Sequence, residues 1–196
     1  MADNVEGYRF GGGEKSACIV GALRGNEIQQ LYICSQLVKA LKELEAHGAI
    51  SHNHEILVIP SVNRFSMNVG KRFWPTDNSD INRAFPGDVN GDTTKQIAGT
   101  LFDRIKGYSY GIHFASFYMP GDFIPHVKMM DTGFQSASLA NLFGLQYVVI
   151  RKPKPMDTVT LNYNWQMNGT NAFSIYTNST DMIDEKSARQ AVSSVL

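Results

Sequence analysis

The first sixty residues constrain the fold more than any other stretch. Ser16 to Leu23 (SACIVGAL) is a short apolar run preceded by the glycines Gly11 to Gly13, which reads as a buried strand entered from a turn. From Glu27 to Ala46 the apolar residues Ile28, Leu31, Cys34, Leu37, Val38, Leu41 and Leu44 recur at helical spacing, and Gly48 supplies a stop. Glu55 to Pro60 (EILVIP) is a second buried strand. Strand, helix, strand is the opening of a parallel α/β sheet.

The rest of the chain continues the alternation. Ser61 to Asp92 has no clear period and is rich in Asn, Asp, Gly, Pro and Arg, yet it carries Phe65, Phe73, Trp74 and Phe85. A long loop with that aromatic content reads as an ordered active-site loop. Helical spacing returns over Thr93 to Ile105, followed by a strand at Ser109 to Phe114 and a Gly- and Pro-containing excursion from Phe117 to Thr132. A helix over Gln135 to Phe143, strands at Tyr147 to Arg151 and Ala172 to Tyr176, and a helix over Asp184 to Val195 complete the reading. The expected fold is α/β, a three-layer α/β/α arrangement around a mixed, mainly parallel sheet. In such sheets ligands gather at the carboxyl ends of the strands.

Charge narrows the range of partners. Lys plus Arg and Asp plus Glu number 18 each, so the formal net charge is zero. That balance argues against a general nucleic-acid binder but leaves room for a local basic pocket for a small anion. No stretch approaches the roughly 18 apolar residues of a membrane helix. Met1 to Glu6 is polar and acidic, unlike a signal peptide. Cys18 and Cys34 both fall in apolar or helical patterns and read as buried free thiols. The expectation is a cytoplasmic protein; a homo-oligomer is compatible with the sequence.

Three strings carry chemistry. In Leu23-Arg24-Gly25-Asn26-Glu27, Gly25 permits a tight turn and Glu27 opens a helix, where on its own it would be an acidic residue favoured by the helix dipole. In Asp80-Ile81-Asn82-Arg83-Ala84-Phe85-Pro86-Gly87, the adjacent Asn82 and Arg83 can grip a carboxylate, the guanidinium as a planar fork and the amide as a donor; Arg72 upstream could add a second positive group. In Gly111-Ile112-His113, an imidazole ends a strand and points into the cleft; alone it would be a hydrogen-bonded structural histidine. His126, after Pro125, could face the same cleft. His52 and His54 sit in a polar turn, and His47 ends a helix.

Taken in order, these strings resemble the succinylglutamate desuccinylase/aspartoacylase branch of the zinc carboxypeptidases. That family's pattern runs Gly-x-His-Gly-x-Glu, a strand ending in Ile-Pro, Asp-Leu-Asn-Arg-x-Phe-Pro-Gly, and a strand ending in Asp-Leu-His. Here the matching segments are Gly-Ala-Leu-Arg-Gly-Asn-Glu, Val-Ile-Pro, Asp-Ile-Asn-Arg-Ala-Phe-Pro-Gly and Gly-Ile-His. The resemblance runs from about Ala17 to the end of the chain. It implies a zinc-carboxypeptidase-like fold and a zinc-dependent hydrolase or deacylase acting on N-acyl amino acids or small carboxylate-bearing amides. Position by position it implies Glu27 and His113 as metal ligands, Asn82 and Arg83 as the substrate-carboxylate pair, and Arg72 as the residue that stabilises the oxyanion. It implies one zinc ion. It also implies a single carboxypeptidase-like domain over 1–196, without the family's smaller β-rich C-terminal domain.

Three positions depart from the pattern. Arg24 stands where the family has its first metal-binding His, and a guanidinium is no metal ligand because it stays protonated. Tyr176 stands where the family has its general-base Glu, and a phenol with an ordinary pKa of about 10 is a poor base at neutral pH. Gly111 replaces an Asp two residues before His113. Three outcomes are open: another residue such as His126 supplies the ligand, the chain binds a carboxylate ligand without turning it over, with Arg24 adding to the grip, or Arg24 and Glu27 pair where the metal would be.

Overall fold

The two apolar runs near the start of the chain become neighbouring parallel strands at the centre of a seven-stranded sheet. In the computed structural model, residues 5–196 are described, so most of the Met1 to Glu6 segment lies outside the described residues. The strands are β1 (Tyr8–Gly11), β2 (Glu14–Ala22), β3 (His54–Ser61), β4 (Tyr110–Ala115), β5 (His126–Met130), β6 (Val148–Arg151) and β7 (Asn171–Tyr176). Their order across the sheet is β1-β3-β2-β4-β7-β5-β6. The central four, β3, β2, β4 and β7, are parallel. β1 runs antiparallel to β3 at one edge, and β5 runs antiparallel to β7 at the other, with β6 parallel to β5.

Helices cover both faces because alternate residues of the central strands point to opposite sides. Ile19, Val58, Ile112, Phe114 and Ile175 pack with α1 (Ile28–Ala46) and α5 (Glu185–Val195). Cys18, Val20, Leu57 and Ile59 pack instead with α3 (Thr93–Ile105) and α4 (Leu161–Met167). The result is the expected three-layer α/β/α arrangement. Cys18 and Cys34 are buried free thiols, one in each apolar cluster.

Several elements differ from the sequence expectation, the edge strand β1 among them. The long loop carries a one-turn helix, α2 (Arg64–Asn68), and a 3-10 turn over Ile81–Arg83. It is pinned by Asp77, whose carboxylate accepts from Ser79 N and from Thr94 at the start of α3. The excursion after Phe117 contains β5; only Val127 and Met129 of its five residues show clear inward alternation, too short a signal beside Pro125. Gln135 to Phe143 tightens to a 3-10 helix over Ala137–Phe143, with Ala140 alone buried. α4 is not legible in the sequence because its buried side mixes amides with the apolar Leu161 and Trp165. Asn162, Asn164 and Gln166 are buried and bond Ser174 Oγ, the Thr158 and Thr160 carbonyls, and the Met130 carbonyl. Hydrophobic periodicity cannot report a face made of amides.

Gly111 has a packing reason. A Cβ there would lie 2.7 Å from Cδ2 of Trp165, which is fully buried and donates from its indole to the Ile105 carbonyl at 3.2 Å. Neither the ring nor its anchor can yield. Gly111→Ala is expected to destabilise the fold by about 1–3 kcal/mol, the usual range for overpacking. Urea unfolding checks this: the midpoint should fall with the slope unchanged.

Candidate functional site

The site is organised around a carboxylate that has no free lone pair. Glu27 caps α1 and is fully buried. Its Oε2 accepts from the backbone N–H groups of Leu23 and Arg24, at 2.8 and 3.0 Å. Its Oε1 accepts from Arg24 Nη1 at 3.1 Å and from the Ser116 hydroxyl, just past the end of β4. The turn is tight for a steric reason: a Cβ on Gly25 would stand 2.1 Å from the Lys71 carbonyl oxygen. Gly25 also donates to the Arg72 carbonyl, which draws the long loop against the turn.

Arg24 fills the space beside Glu27. It is 7% exposed, and its guanidinium also makes a two-point contact with Asp80, Nε to Oδ1 and Nη2 to Oδ2, each 2.9 Å. Burial opposes its charge, but Glu27 and Asp80 outweigh burial and raise its pKa. Asp80 is held below the usual carboxylate range because Arg24, along with the Asn82 N–H, outweighs its own burial. Asp80 belongs to the Asn-Arg string, but its role as the second anchor of Arg24 was missed: sequence spacing does not report a pair 56 residues apart.

His113 sits on the adjacent strand, registered opposite Val20 of β2. It is buried, and its Nε2 has no hydrogen-bond partner. Burial, with Arg24 adding, pushes its pKa down to about 4 against the opposing pull of Glu27. The imidazole is therefore neutral at physiological pH. Arg24 and Ser116, both bonded to Glu27, line the same cavity as His113, whereas Glu27 itself is not among its lining residues.

The Asn82-Arg83 string folds as its residues require. Ile81 and Phe85 are buried anchors, and Phe85 packs edge-on against Phe102 of α3. Gly87 has φ +94° and lies against Gly99, where a Cβ would stand 2.0 Å from the Gly99 N. The Asn82 Oδ1 accepts from Leu161 N at the start of α4. Its amide NH2 is the end left for a ligand.

Arg24, Arg72, Asn82, Arg83, His113 and Tyr176 line one cavity of about 190 Å³. Arg72 donates to Asn26 Oδ1 at 3.2 Å, and burial followed by the charge of Arg24 lowers its pKa. Tyr176 is held in its neutral phenol form, because burial raises its pKa, and so offers even less phenolate at neutral pH than its type suggests. Its ring stacks on His126 at 4.9 Å. His126 is thus a packing partner of Tyr176, bonded through Nδ1 to the Ile124 carbonyl, and does not line the cavity. Lys128, Arg151, Asp157 and Asn162 line it as well and were missed. They reach it from β5, β6, the 3-10 turn Pro155–Asp157 and α4, elements whose faces sequence periodicity did not place.

The donor set does not fit zinc. Both oxygens of Glu27 are occupied, and the neighbour that would be the third ligand is a permanent cation at hydrogen-bond distance from it. Zinc in a catalytic site takes three protein ligands. Among the described residues, no group of three or more His, Cys, Asp or Glu side chains is placed to hold a metal.

Comparison with known proteins agrees with this architecture. The 90-residue match to the N-alpha-acetyl-L-2,4-diaminobutyric acid deacetylase of Halomonas elongata is 28% identical, over 46% of this chain and 24% of that enzyme. The succinylglutamate desuccinylase/aspartoacylase crystal structure from Rhodobacter sphaeroides superposes with a TM-score of 0.78 at 19% identity, covering 96% of this chain and 56% of that one. A metallo-carboxypeptidase from Burkholderia cenocepacia gives 0.74 at 12% identity, covering 97% and 59%. At such identities the two structures establish the fold alone. The chain spans about a quarter of the curated relative and under two thirds of the solved ones. No helix among the described residues is long and apolar enough to cross a membrane. The family profile for the succinylglutamate desuccinylase/aspartoacylase catalytic domain matches residues 14–191, and the chain belongs to that family.

Proposed function

We propose that this domain binds a small carboxylate-bearing ligand in the cavity and does not carry out zinc-dependent hydrolysis. The observation that carries the reading is the Arg24 guanidinium, held by Glu27 and Asp80 where a metal ion would need those lone pairs. With Glu27 satisfied and Tyr176 raised in pKa, no group in the cavity is suited to activate water. What survives is the grip: Arg72, Arg83 and the amide of Asn82 open to one space. The named activity of the Halomonas relative, removal of an acetyl group from an amino acid derivative, supports a ligand of N-acyl amino acid type. We place the protein in the cytoplasm.

A zinc-dependent deacylase is the second reading. One observation favours it: His113 lines the cavity, and its buried Nε2 has no hydrogen-bond partner. Zinc content separates the two. Protein purified without chelator should hold close to no zinc per chain by elemental analysis, and near one equivalent would reverse the assignment. Arg24→His removes the guanidinium and supplies a third neutral ligand; it is expected to convert the site to stoichiometric zinc binding.

Arg83→Ala should weaken acetate binding by about 1.5–3 kcal/mol, the range for a hydrogen bond to a charged group, or roughly tenfold and more. Calorimetric titration measures it, and unchanged affinity would remove the assignment of Arg83 to the ligand.

The depressed pKa of His113 has a further consequence. An unfolded chain titrates this imidazole near 6.5, whereas the folded one does so at about 4. Between those values the unfolded state binds the extra proton, so stability falls as pH drops through the window. The loss attributable to His113 is on the order of 3 kcal/mol. His113→Asn should flatten the dependence of the urea midpoint on pH across that interval.

A further inference from the structure

The two edges of the sheet are finished differently. β1 forms one edge and β6 the other. At β1 the edge is guarded by charge: the Gly11 N–H donates to the Glu45 carboxylate at 2.8 Å, Lys42 sits 5.3 Å from the centre of the Tyr8 ring, and Arg9 reaches Glu55. Charges of this kind keep an edge from pairing with another chain. β6 lacks such a guard. Val148, Val149 and Ile150 are uncharged, and the register with β5 runs from Val148 to Arg151 without a bulge. Arg151, the one charged residue of the strand, is committed to Asp157 by two contacts of 2.6 Å.

The backbone of β6 is only half used. The Tyr147 and Arg151 carbonyls accept from Val127 N and Asp131 N. Backbone groups alternate in direction along a strand, so Val148 and Ile150 turn their N–H and C=O groups away from β5. Among the described residues, no strand lies on that side. The side chains add apolar surface to the open edge. Tyr147 and Val149, on the face that Arg151 shares, are 46% and 41% exposed, and Ile150, on the other face, is 44% exposed. The 3-10 helix Ala137–Phe143 packs against β6 and leaves Leu142 75% exposed.

We propose that β6 pairs antiparallel with β6 of a second copy of this chain, about a two-fold axis at Val149, so that two seven-stranded sheets become one. The strand is complementary to itself in that register. Val148 of each copy stands opposite Ile150 of the other, and the outward N–H and C=O groups of both residues are all paired. Val149 meets Val149 in a non-hydrogen-bonded pair, where β-branched side chains pack closely. No like charges face each other: Arg151 falls opposite Tyr147, and Lys152 opposite Gln146. Pro153 keeps the paired segment short. With a formal net charge of zero, two copies approach without overall repulsion. A two-fold contact of this kind closes at two copies.

Sedimentation equilibrium of the full chain should give a mass that rises with concentration from one chain toward two, since a single short strand pair lies at the weak end of specific association. A single-chain mass up to about 1 mM would overturn the proposal. Val149→Lys sets like charges against each other across the axis and should weaken self-association at least about tenfold, as should Val149→Glu, whereas an equimolar mixture of the two should recover it. Ile150→Pro removes an outward N–H without touching the ladder to β5 and should have an effect of similar size. Val149→Cys reads the register: the two thiols meet across a Cα separation of about 4.5 Å and should cross-link under mild oxidation. Cys18 and Cys34 are buried and do not compete. Dimers that tolerate both Val149→Lys and Ile150→Pro, or a folded Val149→Cys chain that fails to cross-link, would overturn the pairing. Amide hydrogen exchange tests it on the unaltered chain, whether or not the variants fold. The Val148 and Ile150 amides should exchange more slowly at high protein concentration than at low, and exchange independent of concentration would exclude the pairing.

Discussion

A buried guanidinium between two carboxylates holds the site in place. Arg24 donates to Glu27 on one side and to Asp80 on the other, and all three lie mostly out of water. Charges taken from water are tolerated only when their partners and hydrogen bonds are nearly complete, and removing one partner of such a set costs about 3–5 kcal/mol. Here the set is nearly complete. Glu27 takes four donors, and Asp80 takes Arg24 and the Asn82 N–H. The cluster therefore closes three segments onto one another: the turn after β2, the long loop through Asp80, and the end of β4 through Ser116.

That closure determines which chemistry is available. A carboxylate with every lone pair in use and a neighbouring fixed cation cannot also hold a divalent metal. Burial, with the same guanidinium adding, holds the pKa of His113 low against the pull of Glu27. Five basic side chains and one acidic one, Asp157, line the cavity, the basic ones coming from the turn after β2, the long loop, β5 and β6. On the reading proposed above, such a cavity would recognise an anion by geometry and charge, within a domain of the succinylglutamate desuccinylase/aspartoacylase family.

Much of the frame was legible in the sequence because it rests on local signals. The buried runs of β2 and β3, the spacing of α1, α3 and α5, and the boundaries set by Asp92 and Asp184 were readable, and both aspartates do cap their helices. The Asn-Arg-x-Phe-Pro-Gly string and the glycine turn before α1 also fell where expected, at the carboxyl edge of the sheet. Elements that carry the cavity's far wall were not readable. β5 is five residues long, and α4 buries three amides beside Leu161 and Trp165, so neither shows the periodic contrast on which such reading depends. His126 illustrates the same limit: its position in the chain suggested a ligand, whereas the antiparallel register of β5 with β7 sets it against Tyr176.

By itself the sequence determined that a parallel α/β core forms, that Arg24, Glu27, Asn82, Arg83 and His113 lie near strand ends, and that the family's pattern is altered at Arg24, a ligand position, and at Tyr176, the general-base position. Those properties follow from residue type and short-range spacing. Only the tertiary structure decided that Arg24 joins Glu27 to Asp80, that Gly111 makes room for Trp165, and that Lys128 and Arg151 complete the cavity. Each depends on contacts between segments dozens of residues apart, whose approach is set by sheet order and register rather than by any local pattern.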